Sequence, residues 1–456
     1  MLLFFAKGDN MSEINGNTKL LGVIGNPIKH TLSPVIHNKL CKYTGINAVY
    51  VPICVESDIA TAVKGLFAAG FTGLNITVPY KEEVIRSLAE MDDLAKSIGA
   101  VNTLVRTDKG YKGYNTDMSG LSRALDVKGI DISGKKAVVI GAGGAARAVC
   151  IDLVHNGATE VYLLNRTLDK AEAIAKEIPI VKPLSLSDYK QVPEDRYIMF
   201  QCTSVGLAPD DGLLIDDNDF YKMADYGYDL IYNPAVTPFI AKLNELGIKN
   251  DNGLTMLLYQ GIIAFEKWFG IKITHEISEA VYTDLCRELY GNNIVLIGYM
   301  GTGKTSVGKL LAKERGMDFI DLDAYIEEKE GRTISDIFDF ESEEYFRNLE
   351  TKVIHSLSSL SNTVIATGGG AVLRRENRNL LGKLGEVIFL KTDVDTLAER
   401  LKGDETRPLI KSETEDELRK RISKMLDIRN SYYDILADQI INTDRLTPSE
   451  IVEIIN

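Results

Sequence analysis

The sequence predicts an α/β protein with parallel, doubly wound sheets and two separate phosphate-binding units, and three observations predict it. Two glycine-rich loops each lie between a β-branched apolar run and a helix-like stretch: GAGGAARAVCIDLVHNG after Lys136-AVVI, and GYMGTGKTSVGKLLAKERG after Asn293-IVLI. Strand patterns alternate with helical patterns on both sides of the midpoint, the signature of parallel sheets covered by helices. The two loops lie roughly a domain's length apart, which favours two units over one duplicated dinucleotide fold. There is no internal repeat and no low-complexity tract. The joint Cys286-RELYGNN is too short and unbiased for a flexible linker, so the halves are expected to be closely tethered.

Composition narrows the function classes. The chain has 456 residues, 45% apolar and 26% charged, enough apolar content to offset chain entropy. The net charge of −13 divides almost evenly, −6 over residues 1–290 and −7 over residues 291–456. Neither half is a basic module, which disfavours nucleic-acid or anionic-membrane binding. The five cysteines are scattered, with no C-x-x-C pair, which argues against a disulfide framework or a zinc site and for a reducing cytoplasm. The uncharged stretch Val353–Leu373 is broken by Ser and Gly clusters and does not read as a membrane span. The start, MLLFFAKGDN, has too short an apolar run for a signal peptide, and Met11 is a candidate initiator.

In the first half, Gly141, Gly143 and Gly144 permit a tight turn and close backbone approach where a helix N-terminus presents free N–H groups to a pyrophosphate. Ala146 stands at the third fingerprint position, small enough for close helix packing. The following strand, Glu160-VYLLNRT, ends in Asn165, Arg166 and Thr167 rather than an acidic residue. A guanidinium and a hydroxyl suit a 2′-phosphate, which an Asp would repel, so NADP is preferred to NAD. Upstream, Gly25-NPIKHTLSPVIHN offers the hydroxyls of Thr31 and Ser33 as hydrogen-bond donors to a carboxylate. Asn75-ITVPYK places Lys81 after a strand and a fixed proline, while Asn102 and Asp117 supply an amide and a carboxylate on two further strand ends. The helical pattern Thr255-MLLYQGIIAFEKWFG is amphipathic and is expected to pack back onto the substrate domain, bringing Gln260 to the pocket.

The segments GNPIKHTLSPVIHN, NITVPYKEE, GAVNTL, GYNTD, GAGGAARA, NRT, YDLIYNP and DNGLTMLLYQG resemble shikimate dehydrogenase, in the same order, over about residues 18–290. The resemblance implies a substrate domain of residues 18–120 with 252–290 and a Rossmann NADP-binding domain of residues 121–251. It implies NADP(H)-dependent reduction of 3-dehydroshikimate to shikimate, with Lys81 and Asp117 as the catalytic pair. The substrate is then expected among Thr31, Ser33, Thr77, Lys81, Asn102, Asp117, Tyr232 and Gln260. The cofactor is expected on Gly141, Ala142, Gly143, Gly144, Ala145, Asn165, Arg166, Thr167, Leu230 and Gly253. Thr31 stands where many members carry Ser, and the hydroxyl survives.

In the second half, Gly298-Tyr-Met-Gly-Thr-Gly303-Lys304-Thr305 satisfies G-x-x-x-x-G-K-[ST] between a strand and a helix. Such a loop cradles phosphates with backbone N–H groups, its lysine reaches the β/γ oxygens, and its Thr305 hydroxyl ligates Mg²⁺. Asp321 and Asp323 are expected to end the next strand and to point the same way. One would serve the Mg²⁺ shell and the other would accept a hydroxyl proton. Arg347, Gly368-Gly-Gly370 and Arg429 are candidates to surround a small anionic acceptor, and Arg407 is the candidate of a mobile lid.

These strings, GYMGTGKTSVG, DLD, FRNLE, TGGGAV, TRPL and RNSYY, resemble shikimate kinase over about residues 292–456. The resemblance implies a P-loop domain of the nucleoside-monophosphate-kinase type (residues 291–456) that phosphorylates the shikimate 3-hydroxyl from ATP. It places ATP on Gly301, Thr302, Gly303, Lys304, Thr305, Ser306 and Arg407, and shikimate on Asp323, Arg347, Gly369 and Arg429. Thr305 and Asp321 would hold Mg²⁺, with Asp323 and Lys304 catalytic. Quinate is an alternative substrate for the reductase. A non-catalytic sensor is the reading from another class; it has no need of Lys81, Asp117, Lys304 or Asp323.

Overall fold

The computed structural model describes residues 14–29, 31–208, 211–357, 360–402 and 414–455. The chain divides into two compact units between Leu285 and Cys286, and the first unit contains two sheets.

The first sheet is formed by β1 (Lys19–Gly25), β2 (Ala48–Cys54), β3 (Gly73–Ile76), β4 (Glu90–Met91), β5 (Thr103–Thr107) and β6 (Gly110–Tyr114), in the order β2-β1-β3-β5-β6-β4. It departs from the all-parallel expectation. β5 runs antiparallel to both β3 and β6. The cause is local: only Asp108 and Lys109 separate β5 from β6, and Gly110 takes a positive φ of 133°, so the chain closes a hairpin instead of crossing over. Ile24, Leu74, Ile76, Leu104 and Tyr111 form the core on one side of this sheet.

The second sheet is wholly parallel. Its strands are β7 (Lys136–Ile140), β8 (Glu160–Asn165), β9 (Val181–Ser185), β10 (Tyr197–Gln201), β11 (Ala224–Asp229) and β12 (Asn250–Asn252), in the order β12-β11-β10-β7-β8-β9. The order reverses beside β7, the topological switch point at which such sheets bind dinucleotides. Both faces are buried, as the unbroken apolar runs require. Ala137, Val139, Leu163 and Phe200 enter one core, and Val138, Ile140, Leu164 and Met199 the other.

Helix Leu254–Phe269 packs back onto the first sheet and its helices, as its amphipathic pattern predicts. The Trp268 indole N–H donates to the Leu104 carbonyl at 2.9 Å. Gly120, in helix Thr116–Val127, makes the close approach possible, since a Cβ there would lie 2.7 Å from the Gln260 backbone nitrogen.

The second unit carries β13 (Asn293–Ile297), β14 (Asp318–Asp321), β15 (Thr363–Ala366), β16 (Gly385–Lys391) and β17 (Gln439–Asn442), all parallel, in the order β14-β15-β13-β16-β17. Val295, Ile365, Val387 and Phe389 face one core, and Leu296, Val364, Ile388 and Leu390 the other. The central strand β13 leads directly into the glycine-rich loop. Among the described residues no helix is long and apolar enough to cross a membrane.

Candidate active sites

The first unit holds a pocket of about 360 Å³ beside the C-terminal ends of β1 and β3. All eight candidate substrate residues line it: Thr31, Ser33, Thr77, Lys81, Asn102, Asp117, Tyr232 and Gln260. The Lys81 ammonium donates to the Asp117 carboxylate at 2.7 Å, with both side chains about a quarter to a third exposed. Asn115 caps helix Thr116–Val127 by accepting from the Asp117 backbone N–H, so Asp117 sits in a first helical turn and not on a strand end.

Asn102, 3% exposed, is held from below. Its Oδ1 accepts from the Thr116 N–H at 2.8 Å and from the hydroxyls of Thr116 and Thr103. With its oxygen thus engaged, the amide nitrogen is the end left to serve the pocket. At the end of β11, burial pushes the Asp229 carboxyl up to about 6. It accepts from the Thr237 hydroxyl at 2.6 Å and the Ile231 N–H at 3.0 Å, and so shapes the turn that presents Leu230 and Tyr232.

The dinucleotide candidates lie at the C-terminal ends of β7, β8, β11 and β12. Gly141 has φ +111°, and a Cβ there would lie 2.9 Å from Thr203. Gly143 caps helix Gly144–His155, and a Cβ on either Gly143 or Gly144 would meet open space, as a cradle for a diphosphate requires. Ala146 is fully buried against the sheet. Arg166 follows β8, exposed and with no ion pair among the described residues. Gly253 lies so close to Leu230 that a Cβ would come within 2.1 Å of the Leu230 carbonyl oxygen.

In the second unit the loop after β13 has positive φ at Gly298, Gly301 and Gly303. Lys304 opens helix Lys304–Arg315, and its ammonium donates to the Gly298 and Tyr299 carbonyls at 2.8 Å each. The Thr305 hydroxyl donates to Asp321 at 2.6 Å, so two hard oxygen donors meet beside the loop. A neighbouring pocket of about 510 Å³ is lined by Asp323, Arg347, Gly368, Gly369, Gly370 and Arg429, together with Glu327, Phe346 and Glu350. The trio of glycines is required here. A Cβ on Gly368 would stand 2.5 Å from the Asp323 carboxylate, and one on Gly370 would stand 2.4 Å from the Arg347 guanidinium. Arg347 is clamped by Glu350 at 3.0 Å, with both side chains buried. Burial pushes the Glu350 carboxyl up to about 7, and the guanidinium pulls against that rise.

Residues 23–104 match the shikimate dehydrogenase substrate-binding domain, residues 123–208 the shikimate/quinate 5-dehydrogenase family and residues 253–273 the shikimate 5′-dehydrogenase C-terminal domain. A shikimate dehydrogenase (NADP⁺) of Carboxydothermus hydrogenoformans is 42% identical over 271 residues, which span 57% of this chain and 94% of that protein. The chain belongs to the shikimate dehydrogenase family. Residues 300–456 match shikimate kinase, so a shikimate kinase domain is carried in the same polypeptide. Two solved structures resemble the dehydrogenase part. A shikimate dehydrogenase in complex with NADP⁺ is 35% identical, with a TM-score of 0.53, over 60% of this chain and 97% of that one. The enzyme of Thermus thermophilus in complex with NADP(H) and shikimate is 31% identical, with a TM-score of 0.51, over 58% and 98%.

One expectation for the kinase domain needs correction. Asp321 and Asp323 do not share a strand. Asp321 ends β14 and caps helix Leu322–Glu330, accepting from the Asp323 and Ala324 N–H groups, so Asp323 stands in the first helical turn and the alternation of a strand does not govern it. Asp321 turns to Thr305, and Asp323 turns to the glycine trio. Arg407 lies outside the described residues. Two buried residues escaped the sequence reading. Glu350 stands three residues after Arg347 on one helix face, a spacing that could have flagged it. Asn75 lines the dehydrogenase pocket, taking the Tyr50 hydroxyl at 2.7 Å and donating to the Asn102 carbonyl; no local pattern marks it.

Proposed function

We propose that the chain catalyses two consecutive reactions: reduction of 3-dehydroshikimate to shikimate with NADPH, then phosphorylation of the shikimate 3-hydroxyl with ATP and Mg²⁺. The observation that carries this reading is convergence. Residues from remote parts of the sequence line two pockets in the groupings the two reactions require, and each unit also carries a glycine-rich helix N-terminus.

NADPH supplies the hydride when bound, and ATP supplies the phosphoryl group. Lys81 delivers a proton to the carbonyl oxygen as negative charge develops there, and Asp117 fixes the ammonium in line. Thr31 and Ser33 take the substrate carboxylate, while Thr77, Asn102, Tyr232 and Gln260 set the ring. Gly141 to Ala145, with Leu230 and Gly253, form the cofactor's bed, and Asn165, Arg166 and Thr167 meet its 2′-phosphate. In the kinase domain Arg347, Gly369 and Arg429 hold the acceptor carboxylate, and Asp323 accepts the 3-hydroxyl proton. Gly301 to Ser306 and Arg407 serve ATP, with Lys304 neutralising charge. Thr305 and Asp321 supply oxygens to Mg²⁺.

The domain limits that follow are residues 18–120 with 252–290 for the substrate domain, 121–251 for NADP and 291–456 for the kinase. Scattered free thiols fit a cytoplasmic setting, and the acidic surface of both halves fits small-molecule work rather than nucleic-acid or membrane binding. The test is one assay with pure protein, 3-dehydroshikimate, NADPH and ATP–Mg²⁺. NADPH consumption and ADP release, with phosphorylated product from the same acid, are expected. Consumption of one cofactor without the other overturns the bifunctional reading. Shikimate against quinate with NADP⁺ identifies the preferred acid.

A further inference from the structure

The helix Glu415–Leu436 carries two donors one turn apart, Arg429 and Tyr433, and both reach the same carbonyl. The Tyr433 hydroxyl donates to the Gly369 oxygen at 2.5 Å, and Arg429 Nη1 donates to it at 3.3 Å. Tyr433 is fully buried, and its ring stacks on Phe389 of β16 with centroids 4.8 Å apart and planes at 26°. A phenol placed so deep in a core is a costly choice over phenylalanine unless its hydroxyl is used, and this one is. Burial raises its pKa well above the ordinary value, so it stays a donor across the working pH range.

The Gly369–Gly370 peptide is planar, so its N–H lies on the edge opposite the carbonyl that Tyr433 grips. The N–H groups of Gly369 and Gly370 have no protein partner among the described residues, and both glycines line the acceptor pocket. Glycine backbones are the freest of all, and a loop of three in succession does not hold one peptide orientation by itself. An external clamp supplies that orientation. It also relieves Arg429: with the phenol satisfying Gly369, the guanidinium keeps its remaining N–H groups for an anion.

We propose that Tyr433 is a positioning residue of the kinase site, clamping the Gly369–Gly370 peptide so that its N–H side and Arg429 are pre-set for the acceptor carboxylate. This rests on the reading of the pocket as the shikimate site, so wild-type phosphorylation of shikimate is measured first; its absence fails that reading and not the clamp. The test is Y433F, which keeps the ring stack and removes only the hydroxyl, assayed on the full chain without NADP. The expected result is a shikimate KM raised about tenfold, the order of one lost buried hydrogen bond. kcat at saturating shikimate and the KM for ATP stay within about threefold by the same reasoning. ATP hydrolysis without acceptor is unchanged. Y432F, altering a neighbouring half-buried ring whose hydroxyl bonds neither glycine among the described residues, leaves all these values at wild type. A shikimate KM within twofold of wild type overturns the proposal, and so does a parallel loss of acceptor-free ATP hydrolysis, which would make Tyr433 a general support of the fold.

Discussion

The two sites handle positive charge in opposite ways. In the dehydrogenase pocket the cation is a lysine, a third exposed, joined to one carboxylate that is itself a quarter exposed. In the pocket of the kinase domain the cation is an arginine, 8% exposed, clamped by a glutamate that is 1% exposed. On the proposed function the difference follows from the chemistry. A reductase must give up a proton each turnover and regain it from water, so its donor needs an ionisable group with access to solvent. A kinase must hold an anion still while a phosphoryl group passes, so its cation is best permanent, planar and immobile. The lesson is that the same opposite-charge motif, a cation beside a carboxylate, is a proton device when wet and a positioning device when dry.

The comparison breaks first at Lys81. If proton delivery is its task, Lys81→Arg preserves the charge and still fails, because a guanidinium does not release its proton. Both Lys81→Ala and Lys81→Arg are expected to lower the dehydrogenase kcat by roughly 10²- to 10⁴-fold, with the KM for NADPH nearly unchanged and the kinase rate intact. An arginine variant retaining most of the turnover would reduce Lys81 to an electrostatic role. The reverse exchange is smaller. Arg347→Lys keeps a cation but cannot span Glu350 and the acceptor together, so the shikimate KM of the kinase is expected to rise roughly 10- to 100-fold, with less change in kcat. Steady-state ADP release against shikimate concentration reads both parameters. A drop confined to kcat would move Arg347 from holding to chemistry.

Much of this was legible in the sequence because the motif glycines and the loop residues act locally. Gly141 and the Gly298–Thr305 loop announce their turns by composition, and the structure gives them the positive φ values such turns need. The eight dehydrogenase candidates came together as a set only through the family resemblance, and nothing in their spacing says that residues from Thr31 to Gln260 close one pocket. Asp323 was misplaced because a two-residue alternation cannot tell a strand that continues from one that Asp321 has already capped into a helix. Glu350 and Tyr433 were missed for a different reason, although the three-residue spacing from Arg347 offered a signal for the first. Glu350 pairs with the Arg347 guanidinium and Tyr433 with the Gly369 carbonyl, and both contacts are buried, which only the folded chain reveals.

Burial also produces a carboxyl with no cation at all, and here the two units differ once more. Asp152, 2% exposed, accepts from the Ser122 hydroxyl at 2.7 Å with the Asn156 amide also in support, its Oδ2 has no hydrogen-bond partner, and the neighbouring Asp126 charge adds to the cost of ionising it. Burial pushes its pKa up to about 7 from 3.8, whereas Glu350, similarly raised, has Arg347 to meet its charge. Because the folded state holds the Asp152 proton more tightly than the unfolded chain, this contribution to stability is complete below pH 3.8. It is lost progressively as pH rises to about 7, and it does not change further above that. Trp268, the sequence's single tryptophan, is buried in the first unit and reports that unit alone. Followed by its fluorescence in denaturant, the wild-type unit is expected to lose about 2–3 kcal/mol more than Asp152→Asn between pH 5 and 7.5, with the raised Asp229 contributing equally to both proteins. Parallel pH profiles would mean that water or a local opening satisfies Asp152 in its charged form, and the contrast with the arginine-matched Glu350 would then lose its physical basis.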